Sequence, residues 1–148
     1  MAQFRFRLAR VLEWYEERCT LERDKLRARI EELAAVTADI KRIRGEVTQA
    51  RADMANLQSV QPAELLALAR YGQRAEQEIV HRLESQKQAE LALKLQTEAV
   101  QAATRQLRLL ERLRDRRLSE YRHEMDVELE QLAADAFRSA SFREPQGH

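Results

Sequence analysis

Residues whose chemistry could drive a reaction are few in this chain, and they are poorly spaced for one. The three histidines, His81, His123 and His148, are scattered, and no cysteine or second histidine lies at the spacing that closes around a metal ion. The single cysteine, Cys19, cannot form an internal disulfide, which fits a reducing compartment. Adjacent carboxylates such as Glu16–Glu17 and Glu31–Glu32 read as solvated helix faces, because nothing around them builds a cleft for a substrate. No glycine-rich phosphate loop and no nucleophile elbow is present. What remains is arginine. In "RQLRLLERLRDRR", Arg105, Arg108, Arg112 and Arg116 recur at helical spacing, a stripe suited to RNA or to an acidic protein surface. Glu111, Asp115 and Glu120 interleave with it and no aromatics are placed to stack on bases, so the expected partner is a protein, not a nucleic acid. The chemistry expected is binding, with no catalysis, cofactor or metal.

Composition indicates which elements must carry such surfaces. Of 148 residues, 34% are charged and only 5% aromatic, with three glycines and two prolines. Few breakers and plentiful Ala, Leu, Glu and Arg predict long helices. The 44% of hydrophobic residues exceeds what a disordered chain of this kind carries, so they must be buried along a narrow line. Net charge is +1, from 26 basic and 25 acidic residues, and no global field draws the chain to nucleic acid or anionic lipid. Arginines at 5, 7 and 10 interrupt the N-terminus, which therefore lacks a signal peptide's apolar core. No stretch approaches the roughly 18 apolar residues of a membrane span. A soluble, cytosolic protein is the expectation.

The opening "FRFRLARVL" carries two periods. Phe4, Phe6 and Leu8 alternate with arginines like a half-buried strand, whereas Leu8, Val11, Leu12 and Tyr15 follow helical spacing. From Leu8 onward a strict heptad decides for helix. One set of positions is Leu12, Cys19, Leu26, Leu33, Ile40, Val47 and Met54; the other is Leu8, Tyr15, Glu22, Arg29, Val36, Ile43, Ala50 and Leu57. Only Glu22 and Arg29 among them are not apolar, and a period of 3.5 sustained this long predicts a left-handed coiled coil. The run stops at "NLQSVQPAELL", where Pro62 suits a first helical turn and Glu64 could reach back to uncapped amides. A second, weaker seam follows through Leu65, Leu68, Gly72, Ala75, Ile79, Arg82, Gln86, Ala89, Leu93, Gln96, Val100, Ala103, Leu107 and Leu110.

The expectation is an all-α chain whose two long helices form an antiparallel coiled-coil hairpin, the second helix longer and overhanging. Helix 1 covers about 4–57, the turn about 58–62, helix 2 about 63–138, and residues 139–148 form a frayed tail. Folding about residue 60 places residue i opposite roughly 120 − i. Phe4 then falls beside residue 116, Glu22 beside Glu98 and Arg29 beside Glu90, and interhelix ion pairs are expected at the two polar seam positions. Gly45 falls opposite residue 75, one turn from Gly72, which reads either as a close approach of the backbones or as a bendable loop end. After Leu113 the seam breaks at arginines and resumes as Leu118, Tyr121, Met125, Leu129, Leu132 and Ala136, an apolar stripe without a hairpin partner. Acidic Glu124, Asp126, Glu128, Glu130 and Asp135 surround it, the pattern of a protein-docking surface. Phe4 and Phe6 are too close together to share the seam: one covers its open end and the other faces outward.

These pieces resemble a family. A short chain opening "FRFRLARVL", continuing with "ERDKLRARIEEL" and returning through "LLERLRDRRLSEYRHEMDVELEQLAADAF" is similar to the FliJ family of flagellar export proteins over nearly its whole length. The family often carries a Glu-Gln-Lys-x-x-Asp-Glu pattern near its end. Here the counterpart is "ELEQLAADAF", with Asp135 but no lysine. The resemblance implies a non-catalytic component of the flagellar type III export apparatus at the cytoplasmic face of the bacterial inner membrane. Such a protein acts as central stalk and regulator of a hexameric export ATPase, contacts the membrane export gate protein, and binds substrate-specific export chaperones.

Carried onto this chain, ATPase-ring contacts fall on Phe4, Phe6, Arg112, Arg116, Arg117, Leu118, Tyr121, Met125, Leu129 and Leu132. Gate contacts fall on Lys41, Arg44, Thr48, Tyr71, Ala75 and Arg82, where Tyr71 reads equally as a lid on the last core layer. A monomer in isolation is expected, since the two seams satisfy each other. Three other readings compete: an injectisome stalk, a prefoldin-like holdase, and a homodimeric structural coiled coil. No paired-strand pattern supports the second, and Pro62 between matching seams argues against the third.

Overall fold

The computed structural model describes residues 3–143 and is an all-α helical hairpin. Helix α1 spans Ala9–Ala55, 47 residues, and α2 spans Pro62–Arg143, 82 residues, with no strand among the described residues. The turn that reverses the chain is written in its caps. Asn56 N–H donates to the Ala52 carbonyl at 3.2 Å and Leu57 N–H to that of Met54 at 3.2 Å, tightening the last turn of α1. Pro62 opens α2, where its missing N–H costs nothing. The Gln61 N–H donates to Glu64 Oε2 at 3.4 Å, so Glu64 reaches back to cap the first turn.

At the other end of α1 the helix begins at Ala9, not near residue 4. Ala9 N–H closes a turn onto the Phe6 carbonyl at 3.1 Å, and Leu12 N–H makes a helical bond to Leu8 at 2.9 Å. Residues 3–6 are irregular, with Phe4, Phe6 and Leu8 half-buried and Arg5 and Arg7 exposed. A helix would set Phe4 and Phe6 about 200° apart and strand one of them in water. The alternating arrangement shelters both, so the period of two wins over these few residues and the heptad only from Ala9. The expectation that one phenylalanine faces outward is corrected accordingly. Helix α2 runs to Arg143, past the expected end at 138. The remainder of the expected frayed tail, 144–148, lies outside the described residues.

The chain divides into two compact units, one comprising Cys19–Ala103, the other the residues up to Arg18 together with those from Thr104 onward. In the first unit the helices run antiparallel in the expected register, Thr37 meeting Gln86, Asp39 meeting Arg82 and Glu22 meeting Gln96. Cys19, Ile40, Ile43, Ala75 and Ala103 are buried. Leu26, Leu33, Val36, Val47, Ile79, Leu93 and Val100 are half-buried around them. No large side chain is fully buried, which is what a core two helices thick permits. Leu57 and Leu65 are exposed at the turn, outside the last core layer.

Neither polar seam position forms the interhelix ion pair expected of it. Glu22, 8% exposed, meets the Gln96 amide, whose Nε2 donates to the Glu22 carbonyl at 2.9 Å and to its Oε2 at 2.6 Å. Opposite Glu98 it would have faced a like charge; two residues earlier it finds a donor. Arg29 is exposed and donates to Glu32 on its own helix at 3.1 Å, because its long stem carries the guanidinium out of the seam to water. A cross-helix ion pair forms instead between Arg82 and Asp39, at 2.6 Å. The glycines mark no close backbone approach: a Cβ on Gly45 would meet nothing within 4 Å, and one on Gly72 would meet only Arg51 Nη2 at 3.6 Å.

In the second unit Leu12 is buried, with Leu8, Tyr15, Leu107 and Leu110 half-buried. Phe4 packs on Tyr121, ring centroids 5.5 Å apart and tilted 47°, five residues beyond the expected position 116. The cause is geometric: open chain advances up to about 3.3 Å per residue against 1.5 Å in a helix, so the residues before Ala9 reach further along α2 than helix would.

Candidate docking surfaces

Two groups of residues are candidates for binding, and each is built within one unit. The first combines the irregular N-terminal residues with the C-terminal part of α2. Phe4, Phe6 and Leu8 from the N-terminal residues, with Leu113, Arg117, Glu120, Tyr121 and Glu124 from α2, border a cleft of about 850 Å³ that Arg5 and Arg7 also line. Leu118, Tyr121 and Met125 are half-buried here, so these three are not the unpartnered residues the heptad break suggested. The exposed stripe starts later. From Asp126 to Arg143 every residue of α2 is exposed, including Leu129 at 47% and Leu132 at 64%.

Charge is distributed unevenly over this unit. Arg112 and Arg116 are exposed, and Arg117 forms an ion pair with Glu120 at 3.5 Å. Among the described residues Arg5, Arg7, Arg10, Arg112 and Arg116 form no ion pair, nor do Asp126, Glu128, Glu130 and Asp135. Sequence reasoning passed over Arg5 and Arg7 as signal-peptide breakers, although their alternation with Phe4 and Phe6 was the available signal. It also passed over Phe137 and Phe142, 72% and 82% exposed, which the continuation of α2 beyond 138 presents on helix. Trp14, half exposed, stacks edge-on against Tyr15 and under the Arg18 guanidinium, 5.3 Å from its ring centroid.

The second group lies in the unit that contains the turn, and here the structure divides the expected residues. Lys41, Arg44 and Thr48 are exposed on α1, but the Thr48 hydroxyl donates to the Arg44 carbonyl at 2.9 Å and is turned to its own helix. Tyr71 is 38% exposed, neither a closed lid nor a free ring. Ala75 is buried and belongs to the packing, while Arg82 is held between Asp39 and Glu78 at 2.6 and 3.1 Å. What is open on this side is a shallow depression of about 460 Å³ bordered by Arg44, Thr48, Arg51, Gly72 and Glu76.

Among the described residues no group of three His, Cys, Asp or Glu side chains is placed to hold a metal ion, and no helix is long and apolar enough to cross a membrane. Cys19 is buried, 3% exposed, as a small apolar side chain in the seam. No family model, curated protein or solved structure matches the chain. The functional reading therefore stands on the site residues and on the sequence resemblance.

Proposed function

We propose that this chain is a non-catalytic coiled-coil component of the bacterial flagellar type III export apparatus, the central stalk and regulator of its ATPase ring. It works at the cytoplasmic face of the inner membrane, joining the hexameric ATPase to the export gate protein and to substrate chaperones. The observation that carries the reading is the stretch of α2 from Asp126 to Arg143, a continuous helix with every residue exposed among the described residues, which presents Leu129 and Leu132 to water. Exposed apolar side chains set on a continuous helix and framed by charge are the usual form of a protein-docking surface. The ATPase contact then falls on this stretch and on the Phe4–Tyr121 closure beside it, with Arg112 and Arg116 available to acidic groups of the ring. The gate contact falls on Lys41, Arg44 and the exposed edge of Tyr71.

The test is a chain ending at Met125, assayed for helix content, ATPase stimulation and gate pull-down. Cutting at 125 rather than 117 keeps Tyr121 under Phe4. The expected result is a folded chain that still captures the gate protein but no longer stimulates the ATPase. Full stimulation by the shortened chain overturns the assignment.

A further inference from the structure

One unit of this chain carries both halves of an electrostatic contact that it cannot make with itself. Arg5 and Arg7 line the cleft beside Phe4 and Phe6, exposed and without ion pairs among the described residues. Glu128 and Asp135, seven residues apart and so on one side of α2, flank the exposed Leu129 and Leu132 and are likewise without ion pairs. On the α2 wall of the cleft Arg117 is paired with Glu120 and Glu124 lies nearby, while Arg5 and Arg7 carry the charge of the N-terminal wall. The acidic leucine stripe cannot fold back onto this aromatic cleft, because α2 is helical without a break from Pro62 to Arg143, and no glycine or proline lies between Gly72 and Arg143. A second copy meets no such obstacle.

We infer that two copies of this chain pair through a two-fold axis lying between the cleft and the stripe, each placing Leu129 and Leu132 over the other's Phe4–Phe6 cleft with Glu128 and Asp135 toward Arg5 and Arg7. The contact is isologous, so both complementary pairings form at once. It is built from two short amphipathic contacts and exposed ion pairs, which makes it weak and salt-sensitive. The pairing covers the same residues assigned above to the ATPase contact, and a paired chain is a closed one. The inference does not depend on that assignment, since its test contains no ATPase.

Sedimentation of the full chain decides it. In roughly 0.02 M salt the expected dimer is half-formed near about 50 µM chain, and raising salt to roughly 0.5 M weakens it at least about tenfold. The variant Glu128→Lys/Asp135→Lys and the variant Arg5→Glu/Arg7→Glu are each expected to remain monomeric at these concentrations, with helix content unchanged by circular dichroism. Mixed in equal amounts, they are expected to pair with each other, because each tail then meets a cleft of opposite charge. A monomer at every salt concentration, a dimer indifferent to salt, a variant that still self-associates, or a mixture that fails to pair overturns the inference.

Discussion

The unit holding the turn and the unit holding the chain's first residues are made from the same two helices, yet they are held together differently. In the first, helix meets helix in a regular register, Ala75 and Ala103 are buried along with Cys19, Ile40 and Ile43, and polar groups at the seam are matched across it. In the second, the partner of α2 changes from helix to the irregular residues 3–6, and every described residue past Met125 is exposed. A regular seam leaves little to recognise, because its apolar atoms and polar groups are already satisfied by the opposite helix. An irregular closure leaves apolar rings, unpaired arginines and unpaired carboxylates at the surface. The first unit holds most of the buried residues, and the second holds the continuous exposed stretch from Asp126 to Arg143.

The largest effect that can break this contrast is a core truncation. Ile40→Ala removes a side chain only 4% exposed and is expected to cost about 2 to 3 kcal/mol, at the low end for such changes because the core is thin. Leu132→Ala, at a position 64% exposed, is expected to leave stability within about 0.5 kcal/mol while weakening any contact made by the stripe. Equal losses in melting temperature for the two would erase the distinction.

A smaller effect sharpens it. Gln96→Leu takes away the amide that donates to the Glu22 backbone carbonyl and to its Oε2, leaving Lys25 Nζ at 3.5 Å from Oε1, at an expected cost of about 1 to 3 kcal/mol. Replacing both, Glu22→Leu with Gln96→Leu, is expected to recover most of that loss, since matched apolar groups need no hydrogen bond. Failure of the double variant to recover, measured by urea titration, would show that the pair contributes more than mutual satisfaction.

The smallest effect concerns the closure. Phe4→Ala removes one half of the ring pair with Tyr121 from a half-buried site, for an expected cost of about 1 kcal/mol. Hydrogen exchange should show the change in amides near Tyr121 and not in those near Ile40. A loss spread evenly over both regions would mean that the closure supports the whole seam.

Much of this was legible in the residues. The heptad from Leu12 to Met54 survives as the buried line of α1 because a period of 3.5 over many turns has only one way to hide itself, and "QPAE" announces its own cap through the fixed φ of Pro62 and the reach of Glu64. The fold-back rule was good enough to bring Asp39 near Arg82. It was not good enough to tell Gln96 from Glu98 opposite Glu22, a difference of two residues that decides between an amide donor and a repelling charge.

The sequence by itself determined the helices, their reversal and the line along which they bury their apolar side chains, because these depend on local spacing and on breakers. Only the tertiary structure decided what the polar seam residues touch, that Phe4 and Phe6 both line the cleft, and that the fully exposed stretch of described residues begins after Met125 rather than at residue 117. Those outcomes depend on how far an irregular segment reaches along a helix distant in sequence, and residue spacing within either segment does not contain that distance.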